Sequence, residues 1–350
     1  MSKSDKALKI VTAGIMIVFV FGIKTNTAQA PGSQNITTHY SLPTTHLFFA
    51  GDIMLSRHVA GKIMAAGNLN LPFEKTASET SHADLAFANL ESPFLDKAPY
   101  AQQGLVFKAD PQTVQGLNFA GFDVLSTSNN HALDQGISGL DFTINHLLTN
   151  KIIPVGTFSS TAPTPDQPQN VITKNNIAFG FLSYSYSALN DGGKIISPLV
   201  ADYNDLEKLS QDIWTLKGHF ADVVIVNMHA GVEYTREPNQ KQIAFAHAAI
   251  DAGADLVVGA HPHWIQTIEQ YQGKWIFYSL GNFVFDQMWS ADTKEGLTLL
   301  ITFQDHAIKK IELKPVIIDD YCCPRFANSD ETALILSKIG LTDPILMNNN

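Results

Sequence analysis

The sequence predicts a mixed α/β protein in which two β-sheets pack face to face with helices on the outside. Three observations predict it. Short apolar runs that end in polar residues recur along the chain, as strands buried on both faces do. Helix-like amphipathic stretches lie between several of those runs, the alternation expected of an α/β domain. A second texture, apolar segments broken at Asn-Asn, Gln-Gly and Asp-His, reads as hairpins.

Residues 1–30 stand apart from this pattern. Lys3, Lys6 and Lys9 precede an apolar stretch of 14 residues, 10–23, which suits a signal-peptide core and falls short of the roughly 20 residues of a spanning helix. Ala28-Gln29-Ala30 offers a small-x-small cleavage pattern, whereas Pro31 in the first mature position would hinder the peptidase. Residues 1–30 are therefore expected to be a signal peptide or a retained N-terminal membrane anchor. The lysines would keep the N-terminus cytoplasmic and send the body across the membrane, so the expected location is extracytoplasmic, whether membrane-anchored, periplasmic or secreted. Residues 31–45, rich in Thr, Ser and Pro, read as a linker.

Order is expected from HLFFAGD (46–52), and the same design returns in ADLAFANLE (83–91), FDVLSTSNNH (122–131), ADVVIVNMH (221–229) and ADLVVGAHPH (254–263). Helix-like patterns occupy 111–120, 139–148, 202–217 and 239–252. The hairpins fall at 171–184, 267–283 and 297–318, and the Pro-rich stretch 157–170 reads as a surface loop or a seam. A single domain over 46–318 is expected, because candidate ligands run from Asp52 to His263 and one site must gather them. Residues 319–350 then form a C-terminal extension. Its Cys322 and Cys323 are the only cysteines and are adjacent, so no disulfide framework is available and any intrachain bridge is a vicinal one.

Composition narrows the function. With 350 residues, 45% hydrophobic and 16% charged, the chain can bury a large core and is not a disordered protein. Its net charge of -10 lacks the clustered Lys and Arg of a nucleic-acid binder. Removing residues 1–30 takes away four lysines and one aspartate, leaving -13.

The ends of the apolar runs carry the chemistry: Asp52, Asn89 with Glu91, Asn129 with Asn130 and His131, His229, and His261 with His263. Side chains at the carboxyl ends of strands in an open α/β sheet converge on one crevice. Carboxylate, amide oxygen and imidazole together make the mixed N/O set that suits a divalent Mn, Fe or Zn, one ion or two, and no thiolate points to a structural zinc knot. Such ions serve hydrolysis. In His261-Pro262-His263 an extended backbone would send both imidazoles to one side. Asn130 is expected to offer its carbonyl oxygen to metal, and His131 to act as a general acid or an electrostatic stabiliser. Asp134 is read as capping or orienting the following helix. Asn89 would hold the Glu91 loop, Glu233 would meet substrate or buttress His229, and Asn282 would support the site or simply turn the chain. The histidines without a motif around them, His58 among them, are read as surface or structural.

The segments GDIMLSRHV, FANLESP, STSNNHALDQG, MHAGVEY and GAHPHWIQTIEQYQGKWIFYSLGNFVFDQ together resemble the CapA-type capsule-synthesis family, the poly-γ-glutamate synthesis accessory proteins, over about residues 46–290. The resemblance implies a four-layer α/β/β/α sandwich of the calcineurin-like metallophosphoesterase kind. Carried over residue by residue, it implies metal ligands at Asp52, Glu91, Asn130, His229, His261 and His263, with His131 beside the substrate. Three departures stand out: Met54 where that superfamily usually has a histidine, Glu91 where it usually has an aspartate, and Ala230 where the family has a tryptophan. The functions implied are an exported metal-dependent hydrolase-like protein acting on an acidic polymer such as poly-γ-glutamate, a non-catalytic scaffold for a membrane synthase or exporter, or a general phosphoesterase.

Overall fold

A computed structural model describes residues 43–161, 169–190 and 195–347. The expected signal or anchor, residues 1–30, lies outside the described residues, as do nearly all of the 31–45 linker and half of the 157–170 loop. Strand β1 (Thr45–Ile53) leads through α1 (Arg57–Ala66) and α2 (Ala77–Thr80) to β2 (Leu85–Leu90). Helix α3 (Val114–Ala120) precedes β3 (Val124–Ser126), and α4 (Gly136–Thr149) precedes β4 (Ile153–Val155). The hairpin β5 (Val171–Lys174) and β6 (Ile177–Ser185) is followed by α5 (Leu206–His219), β7 (Val223–His229), α6 (Gln240–Asp251) and β8 (Leu256–Ala260). A second hairpin, β9 (Ile268–Tyr271) and β10 (Lys274–Phe277), leads to β11 (Asn282–Val284), α7 (Ala291–Lys294), the long pair β12 (Glu295–Gln304) and β13 (Ala307–Asp319), then β14 (Cys323–Phe326), α8 (Ser329–Ser337) and β15 (Ile345–Met347).

Among the described residues these strands make two sheets. The first runs β14-β13-β12-β1-β2-β3-β4, with β11 on the end of β1 and β15 on β13; the second runs β5-β6-β7-β8-β10-β9. Period-two alternation divides each strand between two cores. Leu47 and Phe49 of β1 and Val223 and Ile225 of β7 meet between the sheets, with Phe87 stacked on Phe181. Their neighbours Phe48 and Ala50 face Val59, Ile63, Leu117 and Leu147 of the helices over the first sheet, and Val224 and Val226 face Leu209, Ile213 and Phe245 of α5 and α6. Three apolar cores thus separate four layers in the order α/β/β/α. Burial on both sides explains why the central strands read as continuous apolar runs.

The hairpin turns follow their sequence. Asn175-Asn176, Gln272-Gly273 and Asp305-His306 all take positive φ at both residues, the requirement of a two-residue primed turn, which Asn, Asp and Gly meet with little strain. Helix starts follow it too. Asn239 and Gln242 form a reciprocal capping box on α6, and Asp205 caps α5. Three local expectations change. The run 122–131 is extended only over β3, because residues 127–131 leave the sheet to enter the site. Helix α1 gave no sequence signal, since Ser56 makes no side-chain cap and Arg57 is left-handed at φ 51. The segment beyond 318 is built into the first sheet: β14 and β15 both pair with β13, and Cys322 and Cys323 form a vicinal disulfide at its edge.

Candidate metal centre

The parallel strands β1, β2 and β3 and the parallel strands β7 and β8 end along one seam. At the end of β1 the ladder slips between Phe49 and Asp52, and Asp52 itself pairs with β11. A bulge of this kind re-aims a side chain. Gly51 makes the slip possible, because a Cβ there would sit 1.9 Å from the carbonyl oxygen of Gly281. Gly259 has the same role on β8, where a Cβ would lie 1.9 Å from the Tyr278 oxygen.

The carboxylate of Asp52 accepts from Asn89 Nδ2 at 2.7 Å and from the His261 backbone N–H at 3.3 Å, joining the two sheets. Asn89 Nδ2 also lies 3.2 Å from His229 Nδ1, and His229 Nε2 lies 2.8 Å from Asn130 Oδ1. His263 Nδ1 donates to Asn282 Oδ1 at 2.9 Å, which turns its Nε2 toward Glu91 Oε1 at 3.9 Å. His131 Nδ1 pairs with Asp134 Oδ2 at 2.7 Å, and its Nε2 lies 3.7 Å from the same Glu91 oxygen. Ligand atoms of Asp52, Glu91 and His229 all come within 4.8 Å of one another. Asp52, Glu91, Asn130, His131, His229, His261 and His263 are all buried.

The electrostatics of this cluster bear on what it could hold. Neither oxygen of Glu91 has a hydrogen-bond partner, nor does Nδ1 of His261, although buried polar atoms are nearly always paired. Burial, then the carboxylates of Asp52 and Glu233, push the Glu91 carboxyl well above the usual range, with only the field of Arg57 opposing. Burial and the neighbouring imidazoles hold His229 and His261 well below the usual histidine value. His261 Nδ1 without a partner, beside Glu91 oxygens that no donor reaches, offers nitrogen and oxygen atoms of the kind a divalent cation takes, so the residues present fit such an ion. Asp52, Glu91 and His229 would hold it, with Asn130, His261 and His263, the other expected ligands, beside them.

A family profile described as "Bacterial capsule synthesis protein PGA_cap" matches residues 46–287. The chain belongs to this family. Among PGA_cap relatives, it is 31% identical to the "PGA biosynthesis protein CapA" of Bacillus subtilis (strain 168), over 91% of this chain and 83% of that one. It is 33% identical to the "Capsule biosynthesis protein CapA" of Bacillus anthracis over 77% of this chain, spanning 66% of that relative's length. A "Probable polyglutamine synthesis accessory protein" of Mycobacterium tuberculosis (strain ATCC 25618 / H37Rv) is 28% identical over 73% of this chain and 69% of that one. Solved structures similar to the chain include the NAD nucleotidase NadN of Haemophilus influenzae, 12% identical with a TM-score of 0.46, over 86% of this chain and 56% of that one. A putative 5'-nucleotidase from Staphylococcus aureus is 13% identical with a TM-score of 0.46, over 85% of this chain and 58% of that one.

Two sequence expectations for this PGA_cap chain need correction. His261 and His263 are not extended: φ is 98 and 57, and the left-handed backbone, not strand alternation, brings their rings to a centroid distance of 6.1 Å. Asp134 does not cap α4, whose N-cap is Gln135 without a side-chain bond. Instead it accepts from His131 and from the Phe107 N–H at 2.5 Å. Asn282 is a buried support of His263 as well as a residue after a turn, and Glu233 is exposed. Met54 is fully buried in the apolar cluster over the first sheet, and its Sδ accepts the Ser56 N–H at 3.1 Å.

The sequence reading missed the second layer around these ligands. Asn129 Nδ2 donates to Leu90 O at 2.8 Å and to Asn89 Oδ1 at 3.2 Å, locking the amide that serves both Asp52 and His229. Phe107 stacks on His131 at 3.9 Å, and Phe285 lies against His263 at 4.7 Å. Arg57 sits over both phenyl rings and pairs with Asp286, which also accepts the His58 N–H. Only the doubled amide of Asn129-Asn130 hinted at this in the sequence; aromatic walls leave no local signature.

Proposed function

We propose that the chain is an exported accessory protein of capsule or poly-γ-glutamate synthesis whose buried centre binds one or two divalent ions, Mn, Fe or Zn, and acts as a metal-dependent hydrolase-like site. The observation that carries this reading is the Glu91 carboxyl, buried with no donor to either oxygen and grouped with Asp52 and His229. A bound ion supplies Lewis acidity there. The chain's own residues do the rest. Asn89 and Asn282 fix the faces of Asp52, His229 and His263, which raises ligand precision. Asp134 holds the Nδ1 side of His131, leaving Nε2 toward the centre, where it can hold or deliver a proton to a leaving oxygen or nitrogen. Phe107 and Phe285 keep bulk water from those two rings. The partner is an acidic polymer handled together with membrane synthase or exporter components, and the apolar segment 10–23 behind basic residues supports an extracytoplasmic, membrane-anchored or released location.

One observation favours a second reading, a scaffold that keeps metal without turnover. Met54 is engaged in the core and with the Ser56 N–H, so that position offers no further nitrogen ligand. The purified full chain, loaded with manganese, separates the two when assayed on a phosphodiester and on γ-linked glutamate chains. Turnover lost in His131→Ala with metal content intact supports the hydrolase-like centre. Stoichiometric metal with no turnover on either substrate class supports the scaffold.

A further inference from the structure

Beside the metal centre, a cleft of about 290 Å³ opens between the strap of residues 99–106 and the start of α4. Ser56 and Gln135 build its walls: Ser56 Oγ bonds the Tyr100 oxygen and receives the Lys108 N–H, and Gln135 Nε2 donates to the Phe107 oxygen at 2.7 Å. Lys108, Tyr100 and Gln102 also line the cleft and carry side-chain donors. Lys108 makes no ion pair among the described residues; its Nζ lies 5.9 Å from the Tyr100 ring. No lining residue is acidic, in a chain with 33 Asp and Glu against 23 Lys and Arg. Asp110 and Asp96 act on the Tyr100 hydroxyl, which burial first and then these two raise, but neither lines the cleft. On the outer edge Leu105 and Val106 are 65% and 64% exposed.

Two contacts tie the wall of the cleft to residues around the centre. Phe107 precedes Lys108 and stacks on His131 at 3.9 Å, and Arg57 donates to the Gly104 oxygen at 3.3 Å. We propose that this cleft is a subsite for the acidic chain on one side of the group held at His131. A pendant carboxylate seats on Lys108 with the Tyr100 hydroxyl and the Gln102 amide, a charge-assisted set, while the chain's methylenes lie on Leu105 and Val106. The inference rests on the acidic-polymer reading above and assigns the part of the polymer that is recognised.

The test uses the manganese-loaded full chain and isothermal titration calorimetry with a γ-linked glutamate decamer, its counterpart with the pendant α-carboxylates amidated (γ-linked isoglutamine), and inorganic phosphate. The wild-type chain is expected to bind the decamer more tightly than the amidated form. Lys108→Glu should weaken decamer binding by about tenfold or more and Lys108→Gln by less, with a shallower salt dependence. Manganese content and phosphate affinity should stay unchanged in both variants. Decamer binding unchanged in Lys108→Glu, or equal affinity of the wild type for the charged and amidated chains, overturns the subsite and leaves the polymer reading standing. A wild-type chain that holds manganese and binds no decamer overturns both.

Discussion

The two sheets bring opposite chemistry to one seam. The first supplies oxygens, from Asp52, Glu91 and Asn130; the second supplies nitrogens, from His229, His261 and His263. Burial acts on the halves in opposite directions, raising Glu91 and lowering His229 and His261. On the proposed reading, a divalent cation at the seam would take oxygens from the first half and nitrogens from the second. The halves also differ in backbone: the oxygens leave parallel strands, one through a bulge at Asp52, whereas His261 and His263 sit on left-handed residues. Such conformations cost roughly 1–3 kcal/mol each and persist where surrounding structure enforces them, which is consistent with a site assembled from the second sheet at some expense in stability.

The comparison breaks most sharply if one half holds the ion alone. Removing a nitrogen by His229→Ala or an oxygen charge by Glu91→Gln should each lower manganese affinity by on the order of a hundredfold or more, read by competition with a chelator; a large loss in only one of them would confine the centre to one sheet. Met54→Ala should cost about 2–5 kcal/mol in chemical denaturation by opening a core cavity, with manganese content unchanged, since the thioether belongs to the core and not to either half. Asn89→Ala removes the amide that touches both halves and should cost about 10–100-fold in metal affinity, more than Asn282→Ala, whose side chain reaches His263 but no other of these ligands.

Acid and base separate the halves in the metal-free chain. Glu91 is raised, so its folded form holds a proton that the unfolded chain has lost; its stabilisation is full below about pH 4.5 and fades as pH rises. His229 and His261 are lowered, so their stabilisation is full above about pH 6.5 and fades as pH falls. Glu91→Gln should therefore raise the metal-free Tm at pH 8 and change it little at pH 4, while added manganese should raise the wild-type Tm more at pH 8 than at pH 5. The smallest expected effect is a control: Asn239→Ala, which removes the capping box of α6, should cost about 1 kcal/mol and leave metal binding untouched.

Much of the architecture was legible because its causes are local. Asn175-Asn176 and Gln272-Gly273 name their own turns, and Asn239 with Gln242 names its own helix start. The alternation along LFFA was hidden, since both faces of β1 are covered, yet the uninterrupted apolar run announced that burial. The ligand residues were legible as polar stops to apolar strands. Their geometry was not. The positive φ of His261 and His263 depends on the Tyr234 N–H held by the Pro262 oxygen and on the close pass of Gly259 under Tyr278, contacts between segments that no window of sequence contains. Asp134 was misread although His131 is only three residues before it: its other partner, the Phe107 N–H, comes from a distant segment, and the nearest helix start offered a simpler use for a carboxylate.

The most direct measurement is the metal content per chain of the purified full-length protein, by inductively coupled plasma mass spectrometry, for the wild type and for His229→Ala. The account predicts at least one Mn, Fe or Zn per wild-type chain, and loss of that metal in His229→Ala at unchanged far-UV circular dichroism. A wild-type chain that carries no such ion after growth with added metal, and whose Tm does not respond to manganese or to a chelator, would contradict it.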